Sequence, residues 1–260
     1  MNLYFRYLTI LFKSQLQYRT SFWLLAAGQF FIPFFVFAGV YFLFQRFGEI
    51  RGWTFYEVAL CFGVIHMAFS LSECVARGFD SFSALVVSGD FDRLLVRPRG
   101  TVVQVLGSKF EFSRVGRLVQ SLFVLIWAVT QVQVEWSAAK AVTLLLMVVC
   151  GVMIFTGIFI LAATMCFWTI QGLEAANIFT DGGREMAQYP LTIYEKGIRI
   201  FFTFVIPFGC VNYLPLLYVL DKQEGSGFLY MLIPLAGALF LLPCLWIWRI
   251  GVRRYRSTGS

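Results

Sequence analysis

Long apolar segments between charged residues constrain this sequence more than any other feature. A helix that crosses a bilayer needs about 20 mainly apolar residues. Six segments come close to that length and predict spans over residues 21–45, 54–73, 115–134, 141–168, 198–220 and 227–249. The second is short unless Trp53 and its neighbours lie at the membrane interface. The fourth stretch is so long that it must tilt, break near Gly151 or Gly157, or project into water.

The composition agrees with a membrane protein, because 59% of the residues are hydrophobic and only 13% are charged. Soluble domains carry about 25% charged residues, so the apolar excess must face lipid. A membrane β-barrel needs alternating strands of roughly ten residues, whereas the apolar runs here are unbroken. We therefore predict an all-α polytopic membrane protein with six transmembrane helices, forming a single domain over residues 1–260.

The distribution of Lys and Arg predicts the orientation of these spans. With six spans, 17 basic residues lie on the side of both termini and four on the other side. Short cytoplasmic loops are enriched in Lys and Arg, so both termini are expected in the cytoplasm. The lipid bilayer is the expected partner around the spans. The net charge of +7 has the same origin and does not indicate nucleic-acid binding. The four basic residues on the side opposite the termini are Arg46, Arg51, Lys140 and Lys222.

Residues 1–20 form a separate segment before the first span. Leucines and tyrosines recur there at helical spacing, while Arg6 and Lys13 fall on other faces. This pattern is typical of an amphipathic helix in the membrane interface. The alternative is a cytoplasmic extension of the first span.

The chain lacks the motifs of catalytic and metal-binding sites. It contains no GxxxxGK[ST], HExxH or GxSxG motif and no CxxC pair. We therefore predict no catalytic residues, no metal and no cofactor bound by this chain. His66 is read as a neutral histidine packed between helices. Glu73 is expected to pair with Arg77 one turn later, and Glu111 with Arg114.

The informative hydrophilic stretch is the cytoplasmic segment 80–100. Gly89 allows a tight turn, Asp90 is a candidate cap, and Pro98 ends the short helix between them. That helix is expected to present Phe91, Leu94 and Leu95 on one side and charges on another. Exposed apolar side chains on a short helix suit docking in a groove of another protein. The alternative is a loop helix lying on the membrane surface.

This stretch, Gly89–Pro98, resembles the cytoplasmic coupling helix of type-2 (exporter-type) ABC transporter permeases. The likeness covers nearly the whole chain, through the six spans, Tyr189-Pro190, Ile206-Pro207-Phe208 and the run Asn212–Pro215. The fuller pattern looks like a bacterial subgroup of these permeases.

The resemblance implies a dimer of two identical or related permeases docked on two separate ABC ATPase subunits, which hold ATP and Mg. The first cytoplasmic segment would enter a cleft of the ATPase, and residues 174–195 would add a second contact. Many of these permeases have a re-entrant element between the fifth and sixth spans, which here must come from residues 212–220. The residues implied in ATPase coupling are Gly89, Asp90, Phe91, Asp92, Arg93, Leu94, Leu95, Arg97 and Pro98.

Two prolines mark irregular backbone in the predicted fifth span. Pro207 and Pro215 each remove a backbone hydrogen bond, and irregular backbone within a membrane must line a cavity or pack in protein. Together with Asn212 and Tyr213 they are candidates for a translocation path or gate. A static kink between helices is the alternative.

We therefore expect a permease subunit of an ATP-driven exporter that moves an amphipathic or hydrophobic cargo out of the cytoplasm or the inner leaflet. Two alternatives remain at this point. One is a membrane-embedded lipid-modifying enzyme, for which Glu73, Asp80, Asp90 and Asp92 are the candidate acids. The other is a non-catalytic membrane scaffold.

Overall fold

A computed structural model describes residues 9, 12–169 and 172–255, with the backbone alone for residues 172–177. Within these ranges every regular element is a helix and no strand is found, which confirms the all-α class. The helices are α1 Arg19–Phe47, α2 Phe55–Asp80, α3 Phe82–Val87, α4 Asp90–Leu95, α5 Thr101–Leu106, α6 Val115–Gln131, α7 Ala138–Met165, α8 Gly172–Ala187, α9 Lys196–Ile200, α10 Leu214–Val219, α11 Gly227–Leu232 and α12 Ala236–Arg254.

Five helical segments are long and apolar enough to cross a membrane. They confirm a multi-pass membrane protein. The first begins at Phe12, so the described part of the segment before α1 runs on into the first span. Half of the interfacial helix predicted over residues 1–20, namely residues 1–8, 10 and 11, lies outside the described residues. The other four segments are Phe55–Val87, Phe112–Gln131, Ala138–Met165 and Gly227–Arg254.

Helix α2 is the central element and is buried along most of its length. A capping box fixes its start, where the Glu57 carboxylate accepts a hydrogen bond from the Thr54 amide at 3.0 Å. Helix α7 packs beside it without a break at Gly151 or Gly157. A Cβ at Gly157 would lie 3.0 Å from the Phe240 ring, so this glycine permits close packing of α12.

The connections between helices lie at two ends of the bundle. Lys140 pairs with Asp221 at 2.6 Å and Lys222 with Glu57 at 2.7 Å, which places the starts of α2 and α7 beside the connection before α11. Trp53 also lies at this end, just before α2, and we call it the Trp53 end. At the other, the Trp248 end, the Trp248 ring packs on Phe79, Phe82, Phe91 and Phe167.

Helix α8 leads the chain from the Trp248 end to the Trp53 end. It follows α7, whose last residues lie near Trp248, and it runs antiparallel to α2. Just beyond it, Thr192 accepts hydrogen bonds from Arg51 at 2.6 Å and from Trp53 at 2.9 Å. The predicted hydrophilic segment around residues 174–199 is therefore not a surface segment of the Trp248 end. Its residues 180–192 traverse the bundle.

Residues 196–219 form a re-entrant hairpin, so the prediction of a single, kinked span over 198–220 is corrected. Segments Lys196–Val205 and Gly209–Val219 meet at 86°. The hairpin starts after Thr192 and ends before Asp221, both at the Trp53 end, while its tip residue Phe208 packs on Phe155 of α7 with 5.0 Å between ring centroids. Helix α8, rather than the hairpin, links the two ends of the bundle, although its 16 residues are not among the segments long and apolar enough to cross a membrane.

The bend follows from Pro207. A residue before proline is driven towards extended backbone, and Ile206 has φ −117° and ψ 101°. Both arms contain π-helical turns, Phe201–Val205 and Gly209–Tyr213. Such turns frequently occur at functional sites. The expectation that a re-entrant element must come from residues 212–220 alone is also corrected, since the first arm precedes Pro207.

Candidate functional site

The first element of the site is the pair of short helices α3 and α4 at the Trp248 end. Gly89 joins them with φ +73°, a left-handed conformation that favours glycine. The expected cap is shifted by one position, because Gly89 precedes the helix and Asp90 is its first residue. The Asp90 carboxylate accepts hydrogen bonds from Ser88 at 2.9 Å and from Arg93 at 3.2 Å.

Phe91 is an anchor and not the exposed apolar side chain that the sequence predicted. It is fully buried, with ring centroids 4.9 Å from Phe82, 5.6 Å from Phe167 and 5.1 Å from Tyr255. The predicted apolar face of α4 is therefore turned inward at this position. As a result α4 is fixed to the ends of α7 and α12.

The outward face of this element carries apolar and basic side chains together. Leu95 is 39% exposed and Val96 is 85% exposed, whereas Leu94 packs partly against the core. Pro98 is exposed, and the loop is held by Gln104, which donates hydrogen bonds to Leu94 O and Arg99 O. We define the coupling surface as the exposed residues Val87, Arg93, Leu95, Val96 and Arg97. Val87 and Val96 were not singled out from the sequence.

A cluster of ion pairs links α2, α6 and the loop before α6. Glu73 binds Arg114 at 2.8 Å and Arg117 at 2.6 Å, so the predicted Glu73–Arg77 pair is wrong. Arg77 instead pairs with Asp80 and with Glu111, the latter at 3.3 Å. The predicted Glu111–Arg114 pair is confirmed at 3.1 Å. These arginines were distant in sequence from Glu73, and no periodicity could have matched them.

Burial acts to raise the pKa of the Glu111 carboxyl, but the surrounding positive charges outweigh it. Arg77, Arg114 and Lys109 hold the pKa below its ordinary value of 4.5. Glu111 is therefore ionised under neutral conditions and completes the ion-pair cluster.

The cluster opens into a cleft of about 330 Å³ between α2, α6 and α8. Its lining includes Phe69, Glu73, Arg117 and Asp181. The guanidinium carbons of Arg117 and Arg184 lie 5.6 Å and 4.7 Å from the centroid of the Phe69 ring. Charged side chains are expensive within a membrane and usually serve function or pair with one another.

Further towards the Trp53 end, polar contacts continue along the seam of α2 and α8. His66 is buried, stacks on Phe62 at 3.8 Å, and lies 3.1 Å from Gln188 Oε1 through its Nε2. This agrees with the reading of His66 as a packed histidine. Its partner Gln188 was missed because residues 174–199 were placed outside the bundle.

The residues proposed for a gate lie on the hairpin, and Asn212 contacts both of these helices. Asn212 is 2% exposed, and its Nδ2 donates to Ala187 O at 2.8 Å and to Cys61 O at 3.3 Å. Tyr213 faces Trp53 with 6.1 Å between ring centroids. Pro207 is at the bend, and Pro215 is buried at the start of α10. Asn212 therefore fastens the hairpin to α2 and α8.

Comparison with known proteins agrees with this architecture. The model of one protein family, described as "ABC-2 family transporter protein", matches residues 30–259. No curated protein and no solved structure gives a significant match. The match spans α2–α12 with most of α1 and includes the coupling surface, the ion-pair cluster and the re-entrant hairpin. The chain belongs to the ABC-2 transporter family.

Proposed function

We propose that this membrane component of an ABC transporter is the permease of an ATP-driven exporter. It works as a dimer of two identical or related permeases in the bacterial cytoplasmic membrane, with both termini in the cytoplasm. The ATPase is a separate cytoplasmic subunit that binds ATP and Mg. The cargo is amphipathic or hydrophobic and leaves from the cytoplasm or the inner leaflet.

The observation that carries this proposal is the anchoring of α4 through Phe91. Its ring lies 6.3 Å from Trp248 of α12 and 5.6 Å from Phe167, which follows α7. A partner that pulls on the coupling surface therefore moves the ends of two long helices. Packed cores transmit such displacements because they deform little. The mixture of apolar and basic side chains on the coupling surface suits a groove with an acidic rim.

The second ATPase contact expected over residues 174–195 is not retained. Residues 180–192 traverse the bundle, and the side chains of 174–177 lie outside the described residues. Ile178 and Phe179 are exposed near the Trp248 end. Among the described residues of this segment, these two apolar side chains remain available to a partner at that end.

The amphipathic nature of the cargo is supported by the elements between α2 and the hairpin. Helix α8 brings charged side chains into the bundle, and the hairpin beside it brings Phe202 and Phe208. A molecule that follows this seam would meet charged groups first and aromatic groups later. Both ends of the hairpin lie at the Trp53 end, which supports release of the cargo at that end.

The test is a pair of matched substitutions, Val96→Glu and Val103→Glu. Both valines are exposed at the Trp248 end, at 85% and 59%, but only Val96 belongs to the coupling surface. The permease is purified with its ATPase, and ATP hydrolysis in proteoliposomes is measured. We expect Val96→Glu to lose the ATPase from the complex and Val103→Glu to retain it. A Val96→Glu permease that keeps a fully active ATPase would contradict the proposal.

A further inference from the structure

We propose that the turn between α1 and α2 is a releasable latch that closes the Trp53 end of the re-entrant hairpin. The turn spans residues 48–54 and contacts the chain both just before the hairpin and just after it. The structure shows the latch closed, with Thr192 bound to the turn. When Thr192 is released, the hairpin swings about its exit near Asp221, and the seam between α2 and α8 opens.

The contacts before the hairpin are two hydrogen bonds to a single residue. The Arg51 guanidinium donates to Thr192 O at 2.6 Å, and the Trp53 indole donates to Thr192 Oγ1 at 2.9 Å. Both acceptors are uncharged, and the bond from Arg51 is exposed to solvent. Bonds of this kind are exchanged for bonds to water at a small net cost. Thr192 can therefore separate from the turn without leaving an unpaired buried charge.

The contacts after the hairpin are ion pairs that tie its exit to two helices. Lys140 of α7, whose side chain is 8% exposed, binds Asp221 at 2.6 Å. Lys222 binds Glu57 of α2 at 2.7 Å and lies 4.9 Å from the centroid of the Trp53 ring. Separation from Asp221 would leave the shielded ammonium group of Lys140 without its partner, which is costly. The exit is therefore the hinge, and Trp53 stays with it.

The backbone of the turn is strained at the residue that reaches Thr192. Ile50 and Trp53 exchange two backbone hydrogen bonds of 3.1 Å, and Arg51 and Gly52 between them have φ +50° and +80°. Positive φ at both central residues is typical of a type I′ turn, in which Asn, Asp or Gly is favoured at the first. A bulky arginine at that position is strained. Strain of this kind occurs at switch regions, and here it opposes the closed latch.

The thiol of Cys61 lies beneath the latch and reports its opening. Cys61 is fully buried, and its Sγ lies 2.8 Å from Asn212 Nδ2 on the hairpin and 3.6 Å from Ala187 O on α8. Movement of the hairpin and the end of α8 away from α2 exposes this thiol to water at the Trp53 end. Assigning the opening to cargo release rests on the proposed function, whereas exposure of Cys61 is measured without any ATPase.

The experiment measures how fast a charged maleimide labels Cys61 in the purified full chain in detergent, by mass spectrometry of the labelled peptide. Thr192→Val keeps the size of the side chain and removes the acceptor of Trp53. We expect labelling to be about fivefold faster, which is the effect of one hydrogen bond on an equilibrium. The control Thr130→Val changes an exposed threonine near the same end and should leave the rate unchanged. An unchanged rate in Thr192→Val overturns the proposal.

A pair of cross-links distinguishes a latch from a general loosening of the fold. Arg51→Cys with Thr192→Cys joins the latch, and Lys140→Cys with Asp221→Cys joins the hinge, each through a flexible, reducible thiol reagent. We expect the latch cross-link to slow labelling of Cys61 about fivefold or more, with recovery on reduction, and the hinge cross-link to leave it unchanged. Equal slowing by both cross-links, or none by the first, overturns the proposal. Loss of ATPase docking alone concerns the proposed function and leaves these results intact.

Discussion

The indole Nε1 of Trp53 donates a hydrogen bond of 2.9 Å to Thr192 Oγ1, across 139 positions of the chain. This bond joins the connection between α1 and α2 to the turn that follows α8. Because α8 starts beyond α7 at the Trp248 end, the bond shows that the chain has crossed the bundle. It also makes the next segment, 196–219, a hairpin that returns to the end from which it entered.

This topology changes the charge distribution without reversing it. Lys196 and Arg199 move to the Trp53 end, and Arg184 lies within the bundle. The 17 against four basic residues expected from the sequence become 14 against six. The excess still favours the Trp248 end as the cytoplasmic one.

The first prediction concerns the side on which Lys196 is accessible. Lys196 is exposed at the Trp53 end, and Arg99 is exposed at the Trp248 end. We expect a membrane-impermeant maleimide to label Lys196→Cys in intact spheroplasts and Arg99→Cys only in inverted vesicles. The unmodified chain reports background from its own cysteines. Labelling of both variants from the same side would show that the hairpin is a crossing span.

The second prediction separates the anchor of α4 from its docking face. Phe91→Ala removes a fully buried ring from an aromatic cluster, and such truncations cost about 3–5 kcal/mol in protein cores. Val96→Ala removes little buried area because Val96 is 85% exposed. We expect thermal unfolding of the purified chain to shift clearly for Phe91→Ala and hardly for Val96→Ala. Equal shifts would mean that Phe91 does not hold α4.

The third prediction tests the close contact of α1 and α6. A Cβ on Gly116 would clash with the carbonyl oxygen of Ala26, whereas a Cβ on Gly28 would meet no atom within 4 Å. Gly116→Ala must push the helices apart, at a cost of about 1–3 kcal/mol or more. Gly28→Ala should be neutral or slightly stabilising, since alanine favours helix. Yield and unfolding temperature in detergent compare the two, and an undisturbed Gly116→Ala would contradict this contact.

The apolar helices were predictable because lipid-facing residues leave a strong local signal. Helix α8 was missed because Asp181, Arg184 and Glu185 suppress that signal, and their partners on other helices are invisible in sequence. The same holds for Glu73, whose partners Arg114 and Arg117 come much later in the chain, in the turn before α6 and on α6. For α4, the alternation of apolar and charged residues predicted a helix correctly. It could not show which side, that of Phe91 or that of Val96, faces the core.

The last prediction uses the lowered pKa of Glu111. A carboxyl whose pKa is depressed in the folded state stabilises that state above its ordinary value of 4.5. The stabilisation is lost as the pH falls from about 4.5 through the folded-state pKa. Protonation then weakens the contacts of Glu111 with Arg77, Arg114 and Lys109.

Glu111→Gln is therefore expected to be less stable than the unmodified chain at pH 7, by about 1–2 kcal/mol. The difference in unfolding free energy between the two chains should disappear as the pH falls below 4.5. Acid then removes from the unmodified chain the charge that the variant already lacks. Denaturant unfolding in detergent at pH 7 and at acidic pH measures the difference at each pH. Glu49→Gln, at an exposed position of the Trp53 end, serves as the control. A gap that stays constant with pH would show that the carboxylate charge of Glu111 does not hold the cluster together.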